Sequence, residues 1–135
     1  MKKIIFLLFC LLSMPVWAKA EKANGTFTVY QMNLWHEGSK VPNGYQGILD
    51  VLDEVDAVFL CEIRDFDGKM FMPRILEDLE KRGKHYYGET LGMVVGLLTK
   101  YKPDSFVKCC IVPGDEGRAM LKAAVTIAGQ PVSFY

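Results

Sequence analysis

The chain has 135 residues, 50% of them apolar and 24% charged, and its 16 basic residues are balanced by 16 acidic ones. That composition supplies one globular core and excludes both a disordered chain and a polytopic membrane protein. It carries no basic run or basic–aromatic stripe, which argues against a function built on neutralising nucleic-acid phosphates along an extended surface.

The first 20 residues stand apart from the rest. Lys2 and Lys3 precede an apolar run over 4–12, and the small residues Ala18 and Ala20 follow Pro15. This is the layout of a secretory signal peptide with cleavage after Ala18 or Ala20, so 1–20 is assigned to export and 21–135 to the working domain. The apolar run is shorter than the roughly 17 residues that span a bilayer, so no stable membrane anchor is expected and the product is expected to be secreted or periplasmic. Removing Lys2, Lys3 and Lys19 from the 16 basic residues leaves 13 against 16 acidic ones, a mildly acidic mature chain.

The same cleavage removes Cys10 and leaves Cys61, Cys109 and Cys110, an odd number for an exported protein. Cys61 reads as a buried free thiol in mid-strand. Cys109 and Cys110 are neighbours, and on a strand their side chains point to opposite faces. The absence of any CxxC or Cys/His cluster in the sequence argues against a zinc site.

From residue 26 the chain alternates elements. Residues 26–34 are rich in β-branched and aromatic side chains and read as a strand. A Gly-, Pro- and Asn-rich turn follows, and then Ile48, Leu49, Leu52 and Val55 recur at helical spacing, which predicts a helix over about 44–54. Asp56 leads into "AVFLCEI", a continuous apolar run of the kind found in a strand covered on both faces. A second helix is predicted over about 70–82, with Pro73 in its first turn, Gly83 at its end, the acidic and basic residues of "LEDLEKR" on its solvated face, and Leu76 and Leu79 buried. After Gly83 the pattern becomes a β-meander: "KHYYGET", "GMVVGLLTK", "DSFVKCCIV", "RAMLKAAVTI" and "PVSFY", separated by turn-like segments. Asp115 and Glu116 read as part of one of those turns. The last strand has only begun when the sequence reaches Tyr135, so the domain is expected to be incomplete at its C-terminus.

Two residues interrupt the apolar strands in a telling way. Asn33 lies near the end of "FTVYQMNLW" and Glu62 near the end of "DAVFLCEIR". Burying an amide or a carboxylate without a partner costs several kcal/mol, roughly 1–3 for a neutral group and more for a charge. A divalent cation is one compensating partner; a turn-capping Asn and a Glu that reaches solvent are the others. Arg64, Asp65 and Asp67 follow Glu62 in what reads as a solvated turn, and Arg118 reads as the exposed start of a strand. His36 and His85 read as solvated or hydrogen-bonded histidines.

These segments resemble the endonuclease/exonuclease/phosphatase superfamily, the fold of DNase I and exonuclease III. "YQMNLW" is similar to that family's Asn-ended opening strand, and "DAVFLCEIR" to its strand ending in a metal-binding Glu about 30 residues on. "GLLTKYKP" and "GRAMLKAAVTIAGQPVSFY" resemble later strands in the family's order, so the likeness runs through nearly all of 26–135. It implies an α/β fold, a four-layer sandwich of two facing, mostly antiparallel sheets with outer helices, of which 21–135 is the N-terminal part.

It further implies a hydrolase of phosphoester bonds dependent on Mg²⁺ or Mn²⁺, with Glu62 as metal ligand and Asn33 as auxiliary ligand or phosphate contact. Nucleic acid, a phospholipid head group or an inositol phosphate are the substrates the resemblance allows. The family's catalytic His, its Asp-x-Asn segment and its terminal Asp-His pair fall beyond the matched stretch, and His36 and His85 come too early to replace them. No catalytic residue is therefore assigned here, and 135 residues alone are expected to be inactive. A catalytically incomplete exported binding module on the same framework is the alternative, and an exposed sheet edge is expected to favour self-association.

Overall fold

The computed structural model describes residues 26–64, 68, 70–112 and 115–135, the side chains of 115–118 excepted. The expected signal peptide, Asp65 and Asp67 lie outside the described residues. Among the described residues nine elements follow in order: β1 (Val29–Asn33), α1 (Gly44–Leu52), β2 (Ala57–Cys61), α2 (Phe71–Lys81), β3 (Tyr87–Leu91), β4 (Val95–Thr99), β5 (Pro103–Val112), β6 (Asp115–Ile127) and β7 (Gln130–Phe134).

The strands form two sheets, one ordered β1-β2-β4-β3 and the other β5-β6-β7. β1 and β2 are parallel and joined through α1, while β2–β4 and β3–β4 are antiparallel. The second half is therefore not one continuous meander. β3 and β4 return to the first sheet because the edge of β2 not taken by β1 carries backbone N–H and C=O groups that need partners, which β4 supplies, and only β5, β6 and β7 meander separately. β6 begins at Asp115, so Asp115 and Glu116 belong to a strand and not to the charged turn expected for them.

Alternation along β2 divides the core in two. Val58 and Leu60 face the helices with Leu49, Leu52, Phe71, Ile75, Leu79 and Leu98, whereas Ala57 faces the second sheet with Leu97, Leu121, Ala123, Val125 and Phe134. Both helices lie over the first sheet, which makes three layers among the described residues: helices, first sheet, second sheet. Coverage of β2 on both faces matches its unbroken apolar run. β1 differs from expectation, since it is an edge strand with Val29 and Tyr30 exposed and only Met32 packed on the helix-side core.

Local signals explain the helix limits. α2 ends in a Schellman motif: Gly83 has φ 72°, its N–H donates to Glu80 O at 2.9 Å, and the Lys84 N–H donates to Leu79 O at 2.9 Å. At the other end of the sheet Asp56 ties three segments together. Its side chain accepts from Thr28 N at 2.8 Å, its backbone accepts from Lys100 N at 2.9 Å, and its own N–H donates to Thr28 O at 2.9 Å.

Leu52 is fully buried at the junction of α1 with the helix-side core, whereas Val51 beside it is 38% exposed. Leu52→Ala should lower unfolding free energy by about 2–5 kcal/mol through lost transfer energy and a residual cavity. Val51→Ala should stay within about 0.5 kcal/mol of the parent. Urea titrations followed by circular dichroism measure both, and equal effects would refute the burial assignment.

Candidate functional site

The parallel pairing of β1 with β2 places Asn33 opposite Cys61, so the two strands end together and Glu62 emerges beside Asn33. Asn33 Nδ2 donates to Glu62 Oε1 at 2.9 Å, joining residues 29 apart in sequence. Asn33 Oδ1 accepts from Trp35 N at 2.9 Å, an Asx turn that fixes the carboxamide from its other side. Glu62 N donates to Val94 O at 2.8 Å and Leu34 N to Cys61 O at 3.0 Å, so the chain is held just before and just after the pair.

The pair is not buried as the apolar strands suggested. Asn33 is exposed and Glu62 half-buried, because β1 is an edge and Glu62 lies one residue past the end of β2. Cys61, likewise, is the half-buried last residue of β2 and not a core thiol in mid-strand. It borders an inter-sheet cavity of about 370 Å³ lined also by Gln31, Phe59, Val95, Met120 and Tyr135. Cys109 and Cys110 are free and exposed on β5.

Backbone strain concentrates at this place. Glu62 has φ 56°, and Trp35, His36 and Glu37 have φ 42°, 59° and 54°, followed by Gly38 at 76°. A left-handed residue with a Cβ costs roughly 1–2 kcal/mol, so a run of three demands compensation. Part of it is visible at Glu37, which is 2% exposed and ion-paired with Arg74 of α2. The Arg74 guanidinium lies 4.5 Å from the Tyr45 ring centre and 5.9 Å from that of Phe71, and the Tyr45 hydroxyl donates to Asp78 Oδ2 at 2.9 Å. Glu37, Gly38, Tyr45 and Arg74 line a second cavity of about 250 Å³.

Sequence reasoning misses this Glu37–Arg74–Tyr45–Asp78 chain, because the charge pattern of "LEDLEKR" places Asp78 on the solvated face. The signal that points the other way is the i, i+4 spacing of Arg74 and Asp78, which puts both on one face of α2.

The remaining candidates separate cleanly. Arg64 is exposed, as a solvated turn predicts, and the side chain of Arg118 lies outside the described residues. His36 is in the strained turn. His85 pairs with Glu80 at 3.0 Å and precedes Tyr87, which is opposite Thr99 and hence level with Ala57 at the other end of β2 from Glu62. Among the described residues no group of three or more His, Cys, Asp or Glu side chains could enclose a metal ion. Glu62 is the one carboxylate of the Asn33–Glu62 pair.

No protein-family model and no curated protein sequence matches the chain. A solved structure does: an endonuclease/exonuclease/phosphatase family protein from Leptotrichia buccalis C-1013-b, at TM-score 0.54 and 15% identity. The match covers 82% of this chain and 52% of that one. The fold is shared. This chain thus has an endonuclease/exonuclease/phosphatase-like architecture over that stretch, and it spans about half the length of the structure it matches.

The Lys81 ammonium beside Asp78 holds its carboxyl below the ordinary 3.8, opposed by burial and helped by the Tyr45 hydroxyl. Burial and the Asp78 contact push the Tyr45 hydroxyl well above its usual range. A carboxyl whose folded value is depressed contributes its stability fully above 3.8 and loses it as pH falls through the folded value. Asp78→Asn should therefore lower the melting temperature at pH 7 and make its decline below pH 3.8 shallower. Calorimetric melts across the acid range test this, and an unchanged acid limb would contradict it.

Proposed function

We propose that residues 26–135 carry the cation-binding part of an exported phosphoester hydrolase, with Glu62 as the ligand for Mg²⁺ or Mn²⁺. The observation that supports this is the 2.9 Å contact between Asn33 Nδ2 and Glu62 Oε1 at the paired ends of β1 and β2, on a fold shared with a phosphoesterase-family structure. In this reading the chain is the N-terminal part of a four-layer DNase I-like sandwich.

The geometry divides the labour. Glu62 Oε1 is occupied by Asn33, which leaves Oε2 as the oxygen presented to a cation. Asn33 engages Glu62 through Nδ2 and Trp35 through Oδ1, so its role here is to orient the carboxylate, with phosphate contact by the same Nδ2 available on exchange. When bound, the cation would neutralise charge on the phosphoryl oxygens and the leaving group. The half-exposed position of the site suits an extended or head-group phosphoester; nucleic acid, phospholipid head groups and inositol phosphates are the substrate classes considered. General acid and base are not assigned to any described residue.

Water-proton relaxation with Mn²⁺ should detect binding to the chain; Glu62→Gln should abolish it, and Asn33→Ala should weaken it about tenfold, the usual scale for a residue orienting a ligand. Mg²⁺-dependent hydrolysis of bis(4-nitrophenyl) phosphate that Glu62→Gln removes would support the hydrolase. Cation binding that Glu62→Gln removes, without hydrolysis, fits both the isolated first half of such a hydrolase and the alternative, a non-catalytic exported binding module. A chain that binds no cation would sink both.

A further inference from the structure

The strained turn after Asn33 serves no evident need of the fold. β1 could be joined to α1 by glycines in left-handed positions without steric strain, yet Trp35, His36 and Glu37 occupy three of them in succession. The same turn carries a carboxylate into a nearly dry position. Burying one without a matched cation costs several kcal/mol, and a pair broken on one side costs about 3–5. Both penalties fall within four residues of Asn33.

We propose that Glu37 and Arg74 are positioning residues for Asn33: their ion pair anchors the strained turn to α2 and so directs the Asn33 carboxamide at Glu62. This rests on the reading of Asn33 and Glu62 as a cation site.

Each link is a contact. The turn is fastened to β2 at its start, where Leu34 N donates to Cys61 O at 3.0 Å, and closed on itself where Gly38 N donates to Leu34 O at 2.6 Å. Its far end is held by the Glu37–Arg74 pair. Arg74 is in turn braced by the faces of Tyr45 and Phe71, and Tyr45 by Asp78. Gly38 packs directly against the backbone of Gly44, where a Cβ on Gly38 would lie 2.7 Å from the Gly44 carbonyl carbon, so the turn has no slack toward α1. Between these fixed points lies Trp35 N, which holds Asn33 Oδ1 at 2.9 Å. Only with Trp35 N in place does Nδ2 of the same carboxamide face Glu62. Releasing Glu37 lets residues 35–37 relax toward right-handed dihedrals, Trp35 N turns away, and the carboxamide rotates freely.

The test is NMR on the ¹⁵N-labelled chain, with Mn²⁺ alone as probe. In the parent the Asn33 side-chain NH₂ protons should be shifted and protected from exchange before any metal is added. Glu37→Gln and Arg74→Met should keep the dispersed core signals of Leu52 and Leu98. The same variants should move the Asn33 NH₂ pair to free-amide positions and raise the Mn²⁺ concentration that half-broadens the Glu62 amide about tenfold. Arg74→Lys, which keeps the charge and loses the fork, should recover part of both effects.

If either of the first two variants fails to fold, Tyr45→Phe keeps the ring over Arg74 and removes only the hydroxyl that anchors it to Asp78, and it should shift the same signals less. Asn33 NH₂ signals that stay at their parent positions in folded Arg74→Lys and Tyr45→Phe overturn the inference, even if melting temperatures fall. A parent chain whose Glu62 amide does not broaden defeats the cation reading instead, while the Asn33 signals still decide the positioning role.

Discussion

The described fold is organised by the coverage of β2 on four sides. Ala57–Cys61 pairs with β1 on one edge and β4 on the other, and its alternate side chains enter two different apolar cores. A strand in that position has its backbone groups paired and its side chains desolvated, so its register cannot slip without exposing apolar surface to water. The end of β2 is consequently held by pairing on both edges. Glu62 is attached there, one residue beyond the last pairing.

That placement sets rigid support beside local strain. Behind Glu62 lie hydrogen bonds to Val94 and, through Cys61, to Leu34. At the pair itself the backbone enters left-handed dihedrals in Glu62 and again over 35–38. Such conformations persist only where surrounding contacts over-determine them, and here those contacts are an ion pair between buried Glu37 and half-buried Arg74, two aromatic faces and a glycine–glycine approach. The resulting pair lies at the surface, Asn33 exposed and Glu62 half-buried, on a backbone held by those contacts.

Much of the architecture was legible because it is encoded locally. Ile48, Leu49 and Leu52 are buried at helical spacing, Gly83 ends α2 by a left-handed cap, and the apolar run of β2 marks a strand with both faces covered. Asn33 and Glu62 stood out for the same reason, as polar groups at the ends of apolar stretches. Apart from the start of β6, where Asp115 and Glu116 read locally as a turn, the errors were non-local. β1 has the composition of a buried strand but becomes an edge, so Val29, Tyr30 and Asn33 are exposed. β3 and β4 resemble β5–β7 in sequence but join a different sheet, because pairing partners are chosen by which edge is free. Cys61 sits in an apolar run but at its rim.

The sequence by itself determined the elements, the apolar periodicities that set their buried faces, and the identity of the two residues worth pursuing, since each depends on neighbours a few positions away. Only the tertiary structure decided that Asn33 and Glu62 touch, that Glu37 is buried against Arg74, and that a run of side-chain-bearing residues adopts left-handed dihedrals. Those outcomes depend on strand pairing across 28 positions and on a helix packed against a turn 37 residues away. No short-range preference for Glu37, which alone would favour water and a right-handed backbone, points to them.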